Sequence, residues 1–349
     1  MLFKSDSMSS LSKKLVSWHE FHGRHQLPWQ QTKNPYAIWI SEVMLQQTQV
    51  STVIEYYKNF MRRFPDIKNL AISNIDDVNE CWSGLGYYSR ARNLHATARI
   101  IQKKYNGIFP QEYEKILELP GIGRTTAGAI CAFAYGKSYP ILDGNVKRVF
   151  TRFYGIKEWA GKSSVEKELW EIADMNLPTK DIGIYNQALM DLGASLCSRG
   201  KPQCLECPLS KTCKSFLNNW TKIIPASKPK KIIPIKEGNI VVIQYGDDIL
   251  FVKRELKKIW GGLWSLPEIQ SQDNLDEWLL NLLGPRKYQL INSGRCLANF
   301  THYKYVMHYQ HVIVNKINSK LPENFTWINQ SNIQKAGLPA PIKKLLSTL

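Results

Sequence analysis

The sequence contains no stretch of about 18 uninterrupted apolar residues, the length a membrane-spanning helix needs. It also lacks internal repeats and low-complexity tracts, and no secretory signal is evident at its start. A soluble folded protein is expected. Acidic residues are scarce, 29 against 46 lysines and arginines, and the net charge of +17 makes a field attractive to polyanions. Nucleic acid is the first partner this suggests, although the charge alone also fits a membrane-surface protein or a basic enzyme. The cysteines do not form a disulfide framework: there are seven, and Cys81, Cys131 and Cys296 are scattered singly. That pattern points to a reducing compartment.

What the sequence does have is four cysteines in one run, Cys197, Cys204, Cys207 and Cys213, separated by six, two and five residues, with Pro202 and Pro208 stiffening the turns between them. Four thiolates so crowded are enough for one metal centre. Structural zinc usually takes two close pairs across a long gap, and here only Cys204 and Cys207 make such a pair. The spacing, together with the other motifs of the chain, favours an iron–sulfur cluster over zinc.

At 349 residues the chain has room for two domains. Apolar residues return every three or four positions from Ile38 to Tyr57, and breaks at Pro65, Gly84, Gly86, Gly107 to Pro110 and Pro120 to Gly123 cut the first half into short helices. Residues 223–235 interleave Pro225, Pro229 and Pro234 with lysines and read as an extended linker between domains 1–222 and 236–349. Beyond it the pattern changes to strands at Asn239 to Tyr245, Ile249 to Lys253 and His308 to Val314, with a helix at Leu275 to Leu283.

Three segments of the helical half carry chemistry. Leu119-Pro-Gly-Ile-Gly-Arg124 is a glycine-rich turn opening a helix, in which Gly121 and Gly123 let backbone N–H groups face a phosphate. An ordinary helix corner has the same look. Asp143, ahead of the basic stretch Asn145 to Arg148, is suited to cap a helix. Glu42 is a single acid in an apolar helix beside Trp39, Val43 and Met44, where lost hydration would make it hold its proton. The plain alternative is a solvent-facing glutamate.

Taken together, Leu27-Pro-Trp29, Trp39 to Val50, Gly84-Leu-Gly-Tyr-Tyr88, Arg90 to His95, the Pro-Gly-Ile-Gly turn, Ile141 to Val149, Asn186-Gln187 and the four cysteines resemble the MutY-type adenine DNA glycosylases. These belong to the endonuclease III-like helix–hairpin–helix superfamily. The resemblance implies a multi-domain fold: an all-α helix–hairpin–helix glycosylase core with an iron–sulfur cluster loop, plus an α+β Nudix-like C-terminal domain. It also implies a [4Fe-4S] cluster on the four cysteines.

The activity implied is base excision repair on double-stranded DNA carrying adenine opposite 8-oxoguanine or guanine. Cleaving the N-glycosidic bond needs an acid on the base and a negative charge under the sugar. By the resemblance Glu42 is the acid on adenine N7, and Asp143 stabilises the sugar cation and guides water. Thr125 stands where strand-cutting relatives carry a Schiff-base lysine, so little lyase activity is expected. Tyr87 and Leu85 match the residues that wedge the stack, Gln47 and Thr48 those that press on the opposite base, and Arg24, Leu27, Trp29 and Gln187 the adenine pocket.

In the C-terminal half, Ile259 to Pro267 resembles the strand entry of a Nudix domain, but the glutamate-rich metal-binding helix does not follow. Recognition rather than hydrolysis is implied. Phe300-Thr301-His302 matches the loop that finds 8-oxoguanine, with a threonine hydroxyl in place of serine. His308 and His311 are expected only to pack or face solvent. A monomer in a bacterial-type cytoplasm is the default. The rivals are a pyrimidine glycosylase with lyase activity, a non-catalytic iron–sulfur DNA sensor and a nucleotide-pool hydrolase.

Overall fold

The computed structural model describes residues 9–229, 233–256, 258–270, 272–285, 287–300, 302–315, 321–333 and 336–349. They form two compact units: residues 1–72 with 93–230, and 73–92 with 231–349. The crossing at 230/231 falls inside the segment read from sequence as a linker. The assignment of 73–92 to the second unit departs from the sequence boundary, because those residues hold to the sheet through specific bonds. Arg92 Nη1 donates to Gly261 O (2.6 Å), Lys343 Nζ to Ser83 Oγ (2.8 Å) and Tyr88 Oη to Leu338 O (3.2 Å).

The first unit is built of helices. The apolar stretch from Ile38 to Tyr57 makes two of them, Pro35–Leu45 and Val50–Arg63, because the chain turns at Gln46 to Gln49 with Gln47 at φ 58°. Pro35 starts the first helix, whose cap Asn34 accepts from Tyr36 N (3.0 Å). Helices Arg124–Tyr135 and Gly144–Tyr154 both end on glycines in the left-handed region, Gly136 and Gly155. Leu15, Phe150, Leu169, Tyr185 and Leu189 pack in one core that joins helices Ser10–His22, Gly144–Tyr154, Ser163–Asn176 and Ile182–Ala194. Linker residue Ile224 is itself buried, and Arg152 Nε donates to its carbonyl (2.8 Å).

The second unit is a mixed sheet covered on both faces. Strands β1 (Ile235–Tyr245), β2 (Asp248–Lys253), β3 (Trp264–Ser265), β4 (Glu268–Ile269), β5 (Tyr288–Asn299), β6 (Lys304–Val314) and β7 (Phe325–Asn329) are ordered β3-β2-β1-β6-β5, with β4 on β1 and β7 on β2. Among the described residues only β1 and β6 run parallel. The alternation of β1 decides the layers. Ile240 and Val242 face a core with Ile342 and Leu345 of helix Ala340–Leu346. Val241 and Ile243 face another with Leu279 and Leu283 of helix Leu275–Leu283. That helix has the bounds expected from sequence.

Candidate active site

Two carboxyls of the helical unit stand within electrostatic reach of each other. Glu42 sits near the end of helix Pro35–Leu45, whose other side chains are nearly all buried. Its carboxyl is pushed up to about 8, first by burial and then by the charge of Asp143. Asp143 does cap helix Gly144–Tyr154, accepting from Val146 N (2.8 Å) and from Asn145 Nδ2 (3.0 Å). Burial raises Asp143 too, while these hydrogen bonds and the Arg148 guanidinium pull the other way. Burial prevails at both carboxyls, but hydrogen bonds and a guanidinium oppose it only at Asp143. Of the two, Asp143 is the one whose surroundings favour the charged form.

Glu42 opens onto a cleft of about 790 Å³, ample for a purine, whose walls include Arg24, Trp29, Ser41 and Gln187. The structure thus brings together four residues that the sequence pattern spreads from position 24 to 187. Trp29 is buried and packs edge-on against Tyr57, with ring centroids 5.4 Å apart, so it serves as wall and core at once. Leu27 caps the short turn Pro28–Gln30 and is half-buried. Sequence reasoning missed His19, which lines this cleft, and Asp191, which lies behind it and joins Arg24 and Gln187. The signal available for Asp191 was a lone acid in the apolar helix Ile182–Ala194, four residues after Gln187.

The glycine turn is held in a conformation that glycine favours. Gly121 adopts φ +77°, and a Cβ there would meet Asn93 Cβ at 2.7 Å, whereas Gly123 faces open space. Both are exposed. Thr125 lies in the first turn of helix Arg124–Tyr135, partly exposed. Arg124 stacks on the Trp170 ring at 3.8 Å and pairs with Asp174 at 3.2 Å, which fixes the turn to helix Ser163–Asn176.

In the second unit the 84–88 turn presents Tyr87 to solvent, 49% exposed and at φ 47°, but keeps Leu85 buried. Arg90 locks the turn by donating to Leu85 O (3.0 Å) and Gly86 O (3.2 Å) while lying over the Trp82 ring. Tyr87, Arg92, Trp260 and Phe300 line one cleft of about 460 Å³. Phe300 stacks on Tyr303 at 4.9 Å, and His302 is exposed. Thr301 lies outside the described residues. Gln47 is exposed in its turn and Thr48 half-buried. His308 is exposed beside Glu237 (3.2 Å), while His311 is buried against Gln244 (2.9 Å).

Cys197, Cys204, Cys207 and Cys213 are free thiols and partly buried. Burial pushes Cys207 up to about 12, and the other three thiols add to the rise, so the four stand within electrostatic reach of one another. Donors surround them: Arg152 Nη1 lies 3.4 Å from Cys197 Sγ, and the Leu209 and Phe216 amides face Cys207 and Cys213. Such a set suits anionic sulfur. Among the described residues no group of three or more His, Cys, Asp or Glu side chains is arranged to hold a metal ion.

Comparison with known proteins agrees with this geometry. Residues 40–175 match the family model of HhH-GPD superfamily base excision DNA repair proteins, and residues 239–348 match that of the NUDIX domain. The chain is 42% identical over 338 residues to the adenine DNA glycosylase of Buchnera aphidicola subsp. Baizongia pistaciae, covering 96% of this chain and 95% of that protein. It is 40% identical over 210 residues to the human adenine DNA glycosylase, covering 58% of this chain and 38% of that one. A thermostable thymine-DNA glycosylase superposes with a TM-score of 0.54 at 28% identity over 60% of this chain and 95% of that one. The chain belongs to the adenine DNA glycosylase family, and is a DNA N-glycosylase of base excision repair.

Proposed function

We propose that the enzyme removes adenine paired with 8-oxoguanine or guanine from duplex DNA, and that it leaves the strand intact. The observation that carries the chemistry is the Glu42–Asp143 pair. Near neutral pH Glu42 keeps its proton and can pass it to N7 of an adenine held in the cleft, which turns a poor anionic leaving group into a neutral one. Asp143, anchored by Val146 and Asn145, holds its negative charge where the deoxyribose becomes cationic, and can orient the water that completes hydrolysis. The products are adenine and an abasic site. Thr125 has no amine to attack the sugar, which is the reason no strand break is expected.

The base must leave the stack to reach Glu42. Tyr87, exposed on a turn that Arg90 stiffens, is suited to fill the gap, and its cleft with Phe300 is suited to meet the opposite base. Gln47 and Thr48 are assigned to the opposite base by resemblance. The four cysteines are assigned a [4Fe-4S] cluster by resemblance; they are free thiols with hydrogen-bond donors beside Cys197, Cys207 and Cys213, although among the described residues they are not arranged as a metal site. A cluster held by these residues would stiffen the loop, and base removal would need no electrons from it. The chain's own part is to present Arg199, Lys201 and Lys211 to the DNA backbone. The enzyme is expected to act as a monomer.

The test is base release from duplexes with adenine opposite 8-oxoguanine, guanine or thymine, with and without alkali. Strand breaks only after alkali, with the first two opposites preferred, are the expected result. Breaks without alkali, or no preference among opposites, would refute this reading.

A further inference from the structure

We propose that Asp191 is a positioning residue that sets the enzyme's preference for adenine by fixing the direction of the Gln187 amide. Asp191 is 1% exposed, yet it ends beside the cleft that holds Glu42. Its Oδ1 accepts from Gln187 Nε2 (2.9 Å) and Arg24 Nε (2.7 Å), and its Oδ2 accepts from the Arg24 backbone N–H (2.8 Å). Arg24 Nη2 lies 2.6 Å from Oδ1 and His19 Nε2 3.2 Å from Oδ2. Burial by itself would raise this carboxyl, but the donors from His19, Arg24 and Gln187 outweigh it and hold Asp191 below its ordinary value. It is therefore an anion, and an anionic carboxylate only accepts.

That restriction has a chemical result. An amide side chain can ordinarily turn over, exchanging its donor and acceptor ends. Gln187 cannot, because turning over would set its carbonyl oxygen against the Asp191 carboxylate. The NH₂ group is kept on Asp191, and Oε1, which has no partner among the described residues, is kept for the cleft. An acceptor in that position matches the amino group at C6 of adenine. It opposes the carbonyl that guanine and hypoxanthine carry there. Arg24, spent on Asp191 through Nε and Nη2, is held in the same wall.

The inference rests on adenine binding in this cleft, and the experiment separates the two. Single-turnover base release is measured with full-length protein on duplexes carrying deoxyadenosine or deoxyinosine opposite 8-oxoguanine. Wild type should prefer adenine. In Asp191→Asn the new amide can donate to Gln187, so the preference should fall tenfold or more, chiefly through slower adenine release. In Gln187→Leu it should fall to a similar extent, and the double variant should lose no more than either alone. A purely structural role would slow both substrates equally, and an unchanged ratio in Asp191→Asn, or additive losses, would overturn the proposal.

Should Asp191→Asn not fold, wild type itself decides. One glutamine side-chain amide pair, identified by its disappearance in Gln187→Leu, should show strongly slowed hydrogen exchange, and free exchange of that pair would overturn the anchor. Wild type that released no adenine would instead refute the function reading, while the exchange measurement would still test Asp191.

Discussion

Replacing Glu42 by glutamine should sharply slow adenine release and at the same time stabilise the fold, increasingly so as pH rises. The carboxyl moves from an ordinary 4.5 to about 8 on folding. Between those values the folded protein holds a proton that the unfolded chain has lost, so wild-type stability falls with rising pH across that window. Each pH unit is worth about 1.4 kcal/mol, which gives an upper bound of about 3 kcal/mol at pH 7 and more by pH 8. Glutamine copies the protonated carboxyl in shape and carries no charge to desolvate. Thermal melts of wild type and Glu42→Gln at pH 5, 6, 7 and 8 should therefore diverge, nearly coinciding at pH 5. Base release should drop by about 10²-fold or more, the usual worth of a general acid, while binding to duplex DNA survives. In wild type the rate should fall as pH rises through about 8, where Glu42 loses its proton. Melting curves that stay parallel at every pH would show that Glu42 carries no raised affinity for a proton, and the assignment of acid and anion would collapse with it.

Four other perturbations bear on separate parts of the structure. Thr125→Lys should gain strand cleavage and form a borohydride-trapped adduct; no adduct would place the sugar away from this helix start. Arg152 donates to the carbonyls of Ile224, Ser198 and Arg199, so Arg152→Met should cost about 3 kcal/mol or more by stranding them, and should loosen the cysteine loop as seen by proteolysis. Cys204→Ser should remove visible cluster absorbance and weaken DNA binding while a melt of the sheet unit is unmoved. Gly121→Ala places a Cβ at 2.7 Å from Asn93 Cβ on backbone at φ +77°, so it should lower duplex affinity, measured by anisotropy, and cost about 1–3 kcal/mol of stability.

Much of the fold was legible because its signals are local. The helix Leu275–Leu283 has an asparagine cap, acids in its first turn and a glycine stop, and the structure keeps those bounds. Strand β2 shows as an apolar run after a Gly-Asp turn. What stayed hidden has no local mark. The break at Gln46 to Gln49 uses a left-handed glutamine where a glycine would have announced it. The attachment of residues 73–92 to the sheet depends on bonds such as Arg92 to Gly261, 169 residues apart. Asp191 and Arg24 are 167 residues apart, and a lone acid in an apolar helix gives no hint of which cation will meet it.

Asp143 shows why competing readings of one residue need not exclude each other. As a helix cap it must accept the Val146 amide, and that same bond helps to keep its carboxylate charged opposite Glu42. Capping thus opposes what burial does to this aspartate, and with Asn145 and Arg148 the start of the helix supplies the asymmetry between the two acids.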